Sequence, residues 1–235
     1  MRTVRVYTAQ AIRANSTLLL EEAPSHHLGR VLRAKPGQTV VLFDGSGGEY
    51  PGRITAIDKH GVTVAVTAHN PVERERATAL HLGLALIKPE RFDWAIEKCT
   101  ELGAAAITPL YTQYTDQKIR REQLDKKLQR WQQIAISACE QSGRNRIPVI
   151  HAPLALDEWL TARDEAAKFV ADPSGLTLDQ NTAATTAALL IGPEGGLTAE
   201  EVQAGLQAGF NKLALGPAIL RAETAAITAL TIIMP

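Results

Sequence analysis

The sequence predicts an α/β fold in two parts. A β-rich domain spans residues 1–72, and a second domain, a parallel sheet with helices on both faces, spans residues 73–235. Three observations carry this. The first 70 or so residues hold short β-branched runs separated by Asp44-Gly45-Ser46-Gly47-Gly48 and Asp58-Lys59-His60-Gly61, the turn compositions of a meander or small barrel. From residue 79 apolar runs alternate with helix-period segments, as in a parallel sheet with right-handed crossovers. Between the two lies Pro71 to Thr78, charged and without a core pattern, where the boundary is placed.

In the first part, Val4–Tyr7, Thr39–Phe43, Tyr50–Ile57 and Val62–Thr67 are the expected strands, and His26–Arg33 is a helical turn or two. In the second, Leu80–Ile87 is apolar throughout, which suits a strand buried on both faces, and Lys88-Pro89 ends it. Arg91–Leu102 turns Phe92, Ile96, Cys99 and Leu102 to one side and is closed by Gly103. Ala106–Leu110 is the next strand. A long helix follows, capped by Thr115 or Asp116 and running to about Gln141, with Leu124, Leu128, Trp131, Ile134 and Ala138 at helical spacing. Lys168–Ala171, Ala187–Ile191 and Leu213–Leu215 are short strands. Thr198–Ala208 is a helix with a capping box, Thr198 at the cap and Glu201 three residues on, and Glu223–Ile233 is the last helix.

Composition excludes several classes. With 235 residues, 45% hydrophobic and 21% charged, the chain is long and apolar enough to bury a core without staples. Two cysteines, Cys99 and Cys139, supply neither a disulfide framework nor a four-thiolate zinc site, and both fall in apolar stretches that suit buried thiols. His26-His27 lacks a carboxylate–histidine spacing, so no metal site is expected. Arg2 and Arg5 interrupt any leader-like apolar run, and Thr224–Pro235 is too short to span a bilayer, so a cytoplasmic protein is expected. Walker A, G-x-G-x-x-G, G-x-S-x-G and H-E-x-x-H patterns are all absent.

Three strand-to-helix junctions are candidates for a ligand site: Leu190-Ile191-Gly192-Pro193-Glu194-Gly195-Gly196, Leu215-Gly216-Pro217-Ala218-Ile219-Leu220-Arg221 and, more weakly, Ala171-Asp172-Pro173-Ser174-Gly175. Their glycines let backbone approach a ligand closely, and ligands of open α/β sheets gather at the carboxyl ends of strands. Charge is also uneven. The formal net charge is zero, which argues against a uniformly basic nucleic-acid binder. Yet residues 1–70 hold eight Lys and Arg against five Asp and Glu, residues 71–150 thirteen against ten, and residues 151–235 four against ten. Lys118, Arg120, Arg121, Lys126, Lys127 and Arg130 cluster on the one long helix, and Arg144-Asn145-Arg146 follows a glycine in a composition suited to phosphates and base edges.

At these residues the chain resembles the RsmE family of SPOUT-class methyltransferases acting on 16S ribosomal RNA. The likeness is carried by Ile191–Gly196, by Leu215–Ala225, by Ala138–Pro148, by Glu97–Gly103, and by His26-His27-Leu28 with Val31-Leu32-Arg33 and Asp44-Gly45. It implies a PUA-like β-barrel that helps bind RNA, a SPOUT domain with a trefoil knot, bound S-adenosylmethionine, a homodimer, and methylation of N3 of one uridine without metal. The candidate cofactor residues are Ala171, Leu190, Ile191, Gly192, Gly195, Gly196, Leu215, Gly216, Ile219 and Leu220. Arg221 is placed to stabilise charge on the uracil, with Glu194 and Glu223 as the available carboxylates. Candidate RNA contacts are Arg30, Arg33, Lys126, Lys127, Arg144, Asn145 and Arg146. Ala218, Tyr114 and Ala222 stand where the family usually has arginine, arginine and threonine. A second reading therefore stands beside the enzyme: an RNA-binding assembly factor of the same fold with impaired catalysis.

Overall fold

A computed structural model describes residues 4–177 and 184–234. The chain forms two compact units. One holds Met1–Glu75 together with Cys139–Ile147, and the other holds Arg76–Ala138 with Pro148–Pro235.

The first unit is a five-stranded mixed sheet. Its strands are β1 (Val4–Tyr7), β2 (Ser16–Leu19), β3 (Thr39–Phe43), β4 (Tyr50–Asp58) and β5 (Gly61–Val66), in the order β1-β3-β4-β5-β2. β1 runs parallel to β3, and the other neighbours are antiparallel. The register Thr39↔Arg53 to Leu42↔Tyr50 turns Val40 and Leu42 inward, where Val6, Ile54, Val62, Val64 and Val66 join them. Leu28 is fully buried in the same core. It sits on a wide helical turn, His27–Val31, that follows the short helix α1 (Glu22–His26). The expected helix over His26–Arg33 is thus split between two helical geometries. β2 escaped the sequence reading because its residues are only half-buried and lack a clear apolar alternation.

A polar network closes this unit. Glu49 accepts hydrogen bonds from Arg5, from Arg74 at 3.1 Å and from Asn70 at 3.3 Å. Burial alone pushes the Glu49 carboxyl up, but the two arginines outweigh it and hold the group below the usual carboxylate range. Arg5 also donates to Asn145 Oδ1 at 2.6 Å, and Asn145 Nδ2 donates to the Val72 carbonyl at 2.7 Å.

The second unit is a parallel sheet of strands β6 (Ala79–Ala85), β7 (Ala106–Tyr111), β8 (Val149–Ile150), β9 (Leu154–Ala155), β10 (Ala167–Leu176), β11 (Thr186–Ile191) and β12 (Asn211–Leu213). The order is β12-β10-β11-β6-β7-β8, with β9 also on β7. The chain leaves β6 for β7 on one side and later places β11 on the other, so the order in which strands are added, though not their direction, reverses between β6 and β11. Carboxyl ends at such a reversal open a crevice.

The helices are α2 (Pro89–Leu102), α3 (Arg121–Ser142), α4 (Leu156–Thr161), α5 (Ala199–Gln207) and α6 (Ala222–Ile233). α2 starts with Pro89 in its first turn and ends at Gly103 in the left-handed conformation, φ 107°. α5 carries the expected capping box: Glu201 N–H donates to Thr198 Oγ1 at 3.2 Å, and Thr198 N–H donates to Glu201 Oε2 at 2.8 Å. α3 begins at Arg121, later than expected, because Thr115 is used in a turn: its hydroxyl accepts from the Thr112 N–H at 3.0 Å. β12 ends at Leu213, so Ala214–Leu215 belong to the loop that follows. α4 is only six residues long, too short to show a helical period in sequence. Both cysteines are buried and unpaired, and burial pushes the Cys99 thiol up to about 12 and that of Cys139 to about 11. Among the described residues no helix is long and apolar enough to cross a membrane, and no three His, Cys, Asp or Glu side chains gather as metal ligands.

Near the amino ends of the strands lies a part-buried polar cluster. His81 Nε2 is 2.7 Å from Thr108 Oγ1, its Nδ1 receives an Arg163 hydrogen bond, and its ring stacks on His151 at 5.2 Å between centroids. Arg163 can only donate, so Nδ1 is the acceptor and Nε2 carries the hydrogen given to Thr108.

Candidate functional site

Strands β10, β11 and β12 run side by side, and each ends in a loop at the same edge of the sheet. These loops enclose a pocket of about 360 Å³. Nine of the ten residues expected to hold the cofactor line it: Ala171 at the end of the regular part of β10, Ile191, Gly192, Gly195 and Gly196 after β11, and Leu215, Gly216, Ile219 and Leu220 before α6. The tenth, Leu190, does not. It is fully buried with Leu110, Trp159 and Phe210, one residue before the strand end.

Two glycines show why the loops need that residue. Gly196 has φ 76°, which disfavours any side chain, and a Cβ there would meet no protein atom within 4 Å. Gly175 lies where a Cβ would stand 2.6 Å from the Leu213 backbone nitrogen, so β10 and β12 approach only because it is bare. Beside it, Asp172 accepts from the Ser174 N–H at 2.8 Å and lies 3.4 Å from Lys212 Nζ. Burial raises this carboxyl, yet the Ser174 bonds and Lys212 hold it below its ordinary range.

The three candidate catalytic residues stand around one rim. Glu194 lines the pocket and is more than a third exposed, whereas Glu223, in the first turn of α6, is buried, and its Oε2 has no hydrogen-bond partner. Arg221 is exposed and occupies the N-cap position of α6, between the pocket residues Leu220 and Ala222. A residue that sequence reasoning missed ties the carboxylates together. Arg91, in the first turn of α2, reaches Glu194 Oε1 at 3.5 Å with Nη1 and Glu223 Oε1 at 3.7 Å with Nε. Nothing in sequence spacing links residue 91 to 194 and 223; the β6–β11 pairing and the packing of α2 on α6 bring them together. The segment before α3 was also missed. Gln113 N–H donates to Glu201 Oε1 at 2.7 Å, and a Cβ on Gly195 would stand 3.2 Å from Tyr114 Cβ, so this segment packs on the glycine loop.

The candidate RNA residues separate into two groups. Lys126 and Lys127 lie on α3, with Lys126 exposed, and Arg30 and Arg33 are exposed beside the first unit's wide helical turn. Arg146 is exposed and paired with Glu73 at 3.4 Å. Arg144 and Asn145 are interior instead. Arg144 is 4% exposed and doubly bonded to Glu75, and Asn145 is fully buried between Arg5 and Val72. A guanidinium at that depth requires a carboxylate partner, and Glu75 supplies it, so these two side chains hold the first unit together rather than face outward.

A parallel sheet with a glycine-loop pocket at the carboxyl ends of β10, β11 and β12, joined to a small β unit, is the architecture expected of a SPOUT-type RNA methyltransferase, and the matches to known proteins assign the chain to that class. The family model described as an RNA methyltransferase domain matches residues 74–234, and that of the RNA methyltransferase PUA domain matches residues 20–67. More particularly, the chain belongs to the ribosomal RNA small subunit methyltransferase E family. The member from Buchnera aphidicola (subspecies Schizaphis graminum) is 32% identical over 98% of this chain and 95% of its own. The Neisseria gonorrhoeae member, solved bound to S-adenosyl methionine, is 32% identical, superposes with a TM-score of 0.91 and covers 98% of this chain and 96% of that one. A Legionella pneumophila protein solved with the bound cofactor SAM is 38% identical, with a TM-score of 0.94 over 99% of this chain and 97% of that one.

Proposed function

We propose that this protein transfers a methyl group from S-adenosylmethionine to N3 of a uridine in 16S ribosomal RNA, in the cytoplasm and as a homodimer. The observation that carries this reading is the pocket formed by the three loops. Its size lies within the ~300–1,000 Å³ usual for small-molecule sites, and its lining of bare backbone and apolar side chains suits an adenosine moiety. Residues Gly192–Gly196 and Leu215–Leu220 would hold the cofactor, which supplies an electrophilic methyl group on sulfonium.

This chain's own groups then do the rest. Methyl transfer needs the acceptor nitrogen in line with the methyl carbon, which positioning supplies without a protein nucleophile. The N3–carbon bond forms as the carbon–sulfur bond breaks, and the N3 proton leaves to a base. Glu194, at the exposed rim, is the better placed acceptor for that proton, because Glu223 is enclosed. Negative charge spreading onto the uracil carbonyls is met by Arg221. Arg91 holds both carboxylates at the rim and neutralises the buried one.

The test is purified protein with labelled S-adenosylmethionine and small ribosomal subunits lacking the mark, followed by mass spectrometry of the nucleosides. Appearance of N3-methyluridine is expected. Cofactor binding without transfer to subunits or free rRNA would favour the impaired assembly factor.

A further inference from the structure

A second and larger cavity, of about 610 Å³, opens at the same edge of the sheet and is not accounted for by the cofactor site. It lies beyond the carboxyl end of β6, between the start of α2 and the amino-terminal half of α3. Leu86, Ile87, Phe92 and Trp131, each at most 3% exposed, form its floor. Lys118, Lys126 and Lys127 stand around it, and none of the three forms an ion pair among the described residues. The nearby carboxylate Asp93 is already taken: Arg130 donates to it at 2.6 and 2.8 Å, and Trp131 Nε1 donates at 3.2 Å. Glu90 is the one other carboxylate in the lining, so the cavity keeps a positive excess. Gln117 and Gln123 add carboxamides, each with a donor and an acceptor.

We infer that this cavity receives an unpaired nucleotide of the substrate RNA, next to the one being methylated. Three features select that ligand. An apolar floor takes a base, carboxamides match base edges, and unpaired lysines take the phosphates. The fourth feature is position. Ile191, at the start of the cofactor loop, pairs with Leu84, and Leu86 and Ile87 in this cavity follow only two to three residues later, just past the end of β6. In α2, Pro89 and Glu90 line the cavity, while the next residue, Arg91, reaches the two carboxylates of the cofactor rim. The first turn of α2 thus presents adjacent residues to both pockets, an arrangement that suits neighbouring nucleotides of one strand. Lys126 and Lys127 thereby become part of a built nucleotide site rather than a diffuse basic face.

The inference rests on the methyltransferase reading for its substrate, so its test is independent of transfer. A rRNA fragment carrying 4-thiouridine beside the target is crosslinked to the protein, and the attached peptides are mapped by mass spectrometry. Crosslinks in residues 117–131 are expected. In a Lys118→Ala, Lys126→Ala, Lys127→Ala variant they should fall at least tenfold. The slope of log affinity against log salt should flatten by about 2, near 0.7 for each single-strand phosphate that no longer meets a lysine. Cofactor affinity should stay at the wild-type value, which also shows that the variant folds. Ile119→Glu, one charge placed in the cavity wall, should reduce crosslinking without changing the cofactor affinity either. Crosslinks confined to other segments would overturn the inference even if methyl transfer is intact. So would a thermal shift with ATP or UMP that the lysine variant abolishes while RNA crosslinks stay unchanged. Absent transfer by the wild-type protein would instead count against the function proposed above.

Discussion

Substituting His81 with Gln tests the electrostatics of the second unit. His81 is part-buried, with 14% of its side chain exposed, faces the Arg163 guanidinium and stacks on His151. Burial first, then the charge of Arg163 and the neighbouring His151, press its pKa from 6.5 down to about 3. Glu165, 3.7 Å away, pulls the other way, but it is already paired with Arg163 at 2.9 Å. In the unfolded chain the imidazole takes up a proton near pH 6.5; in the folded chain it does not until about pH 3. Between those values the unfolded state binds more protons, so stability is complete above pH 6.5 and falls as pH drops, by about 1.4 kcal/mol per pH unit. From pH 7.5 to 5.0 the loss from this one group is about 2 kcal/mol, or roughly 1 M in urea midpoint at a slope of ~2 kcal/mol/M. The three tryptophans, Trp94, Trp131 and Trp159, all lie in the second unit, so their fluorescence follows that unit alone. Urea titrations at pH 7.5, 6.0 and 5.0 should show the wild-type midpoint falling and that of His81→Gln falling much less. Parallel declines in the two proteins would refute the assignment of a neutral, proton-resisting His81.

Gly196→Val should keep the fold at a cost of about 1–2 kcal/mol for its left-handed backbone while closing the pocket mouth. The stabilisation of about 2.7 kcal/mol expected at one hundred times the dissociation constant of S-adenosylmethionine should then vanish from a thermal scan. Wild-type stabilisation would contradict the pocket assignment. Arg91→Met removes both ion pairs at the rim and leaves the buried Glu223 without its cation, so it should slow methyl transfer about tenfold and cost about 3 kcal/mol in stability. An unchanged turnover would show that the pairs do no more than decorate the rim. Glu49→Gln should destabilise the first unit by about 2–3 kcal/mol at pH 7. Because the Glu49 pKa is lowered on folding, that difference should shrink as pH falls below 4.5, which circular dichroism of the β-rich unit would follow.

Much of the second unit was legible because its signals are local. The run Leu80–Ile87, the Thr198 and Glu201 pair and the glycine loops each sit within ten residues, and the structure keeps them at β6, α5 and the pocket. What was not legible depends on pairing between distant segments. Arg91 becomes part of the rim only when β6 pairs with β11 and α2 packs on α6. Arg144 and Asn145 looked like an outward basic loop, since sequence spacing does not show that Glu75 and Arg5 are waiting for them. Leu190 failed as a lining residue by a single step along a strand buried on both faces, where no alternation marks which way a side chain points.

That dependence on distant segments also sets an order of events during synthesis. The first unit is not a continuous stretch of chain, because Cys139–Ile147 belongs to it. Arg5, Glu75 and Val72 leave the ribosome long before Arg144 and Asn145, their partners. At ~5–20 residues per second, the 72 residues from 75 to 147 take about 4 to 14 s to emerge. During that interval Arg5 lacks the Asn145 carboxamide and Glu75 lacks the Arg144 guanidinium, while β6 and β7 have already appeared. A fragment cut at residue 75 would remain in this unfinished condition, so the amino-terminal unit is best produced and studied with the rest of the chain attached.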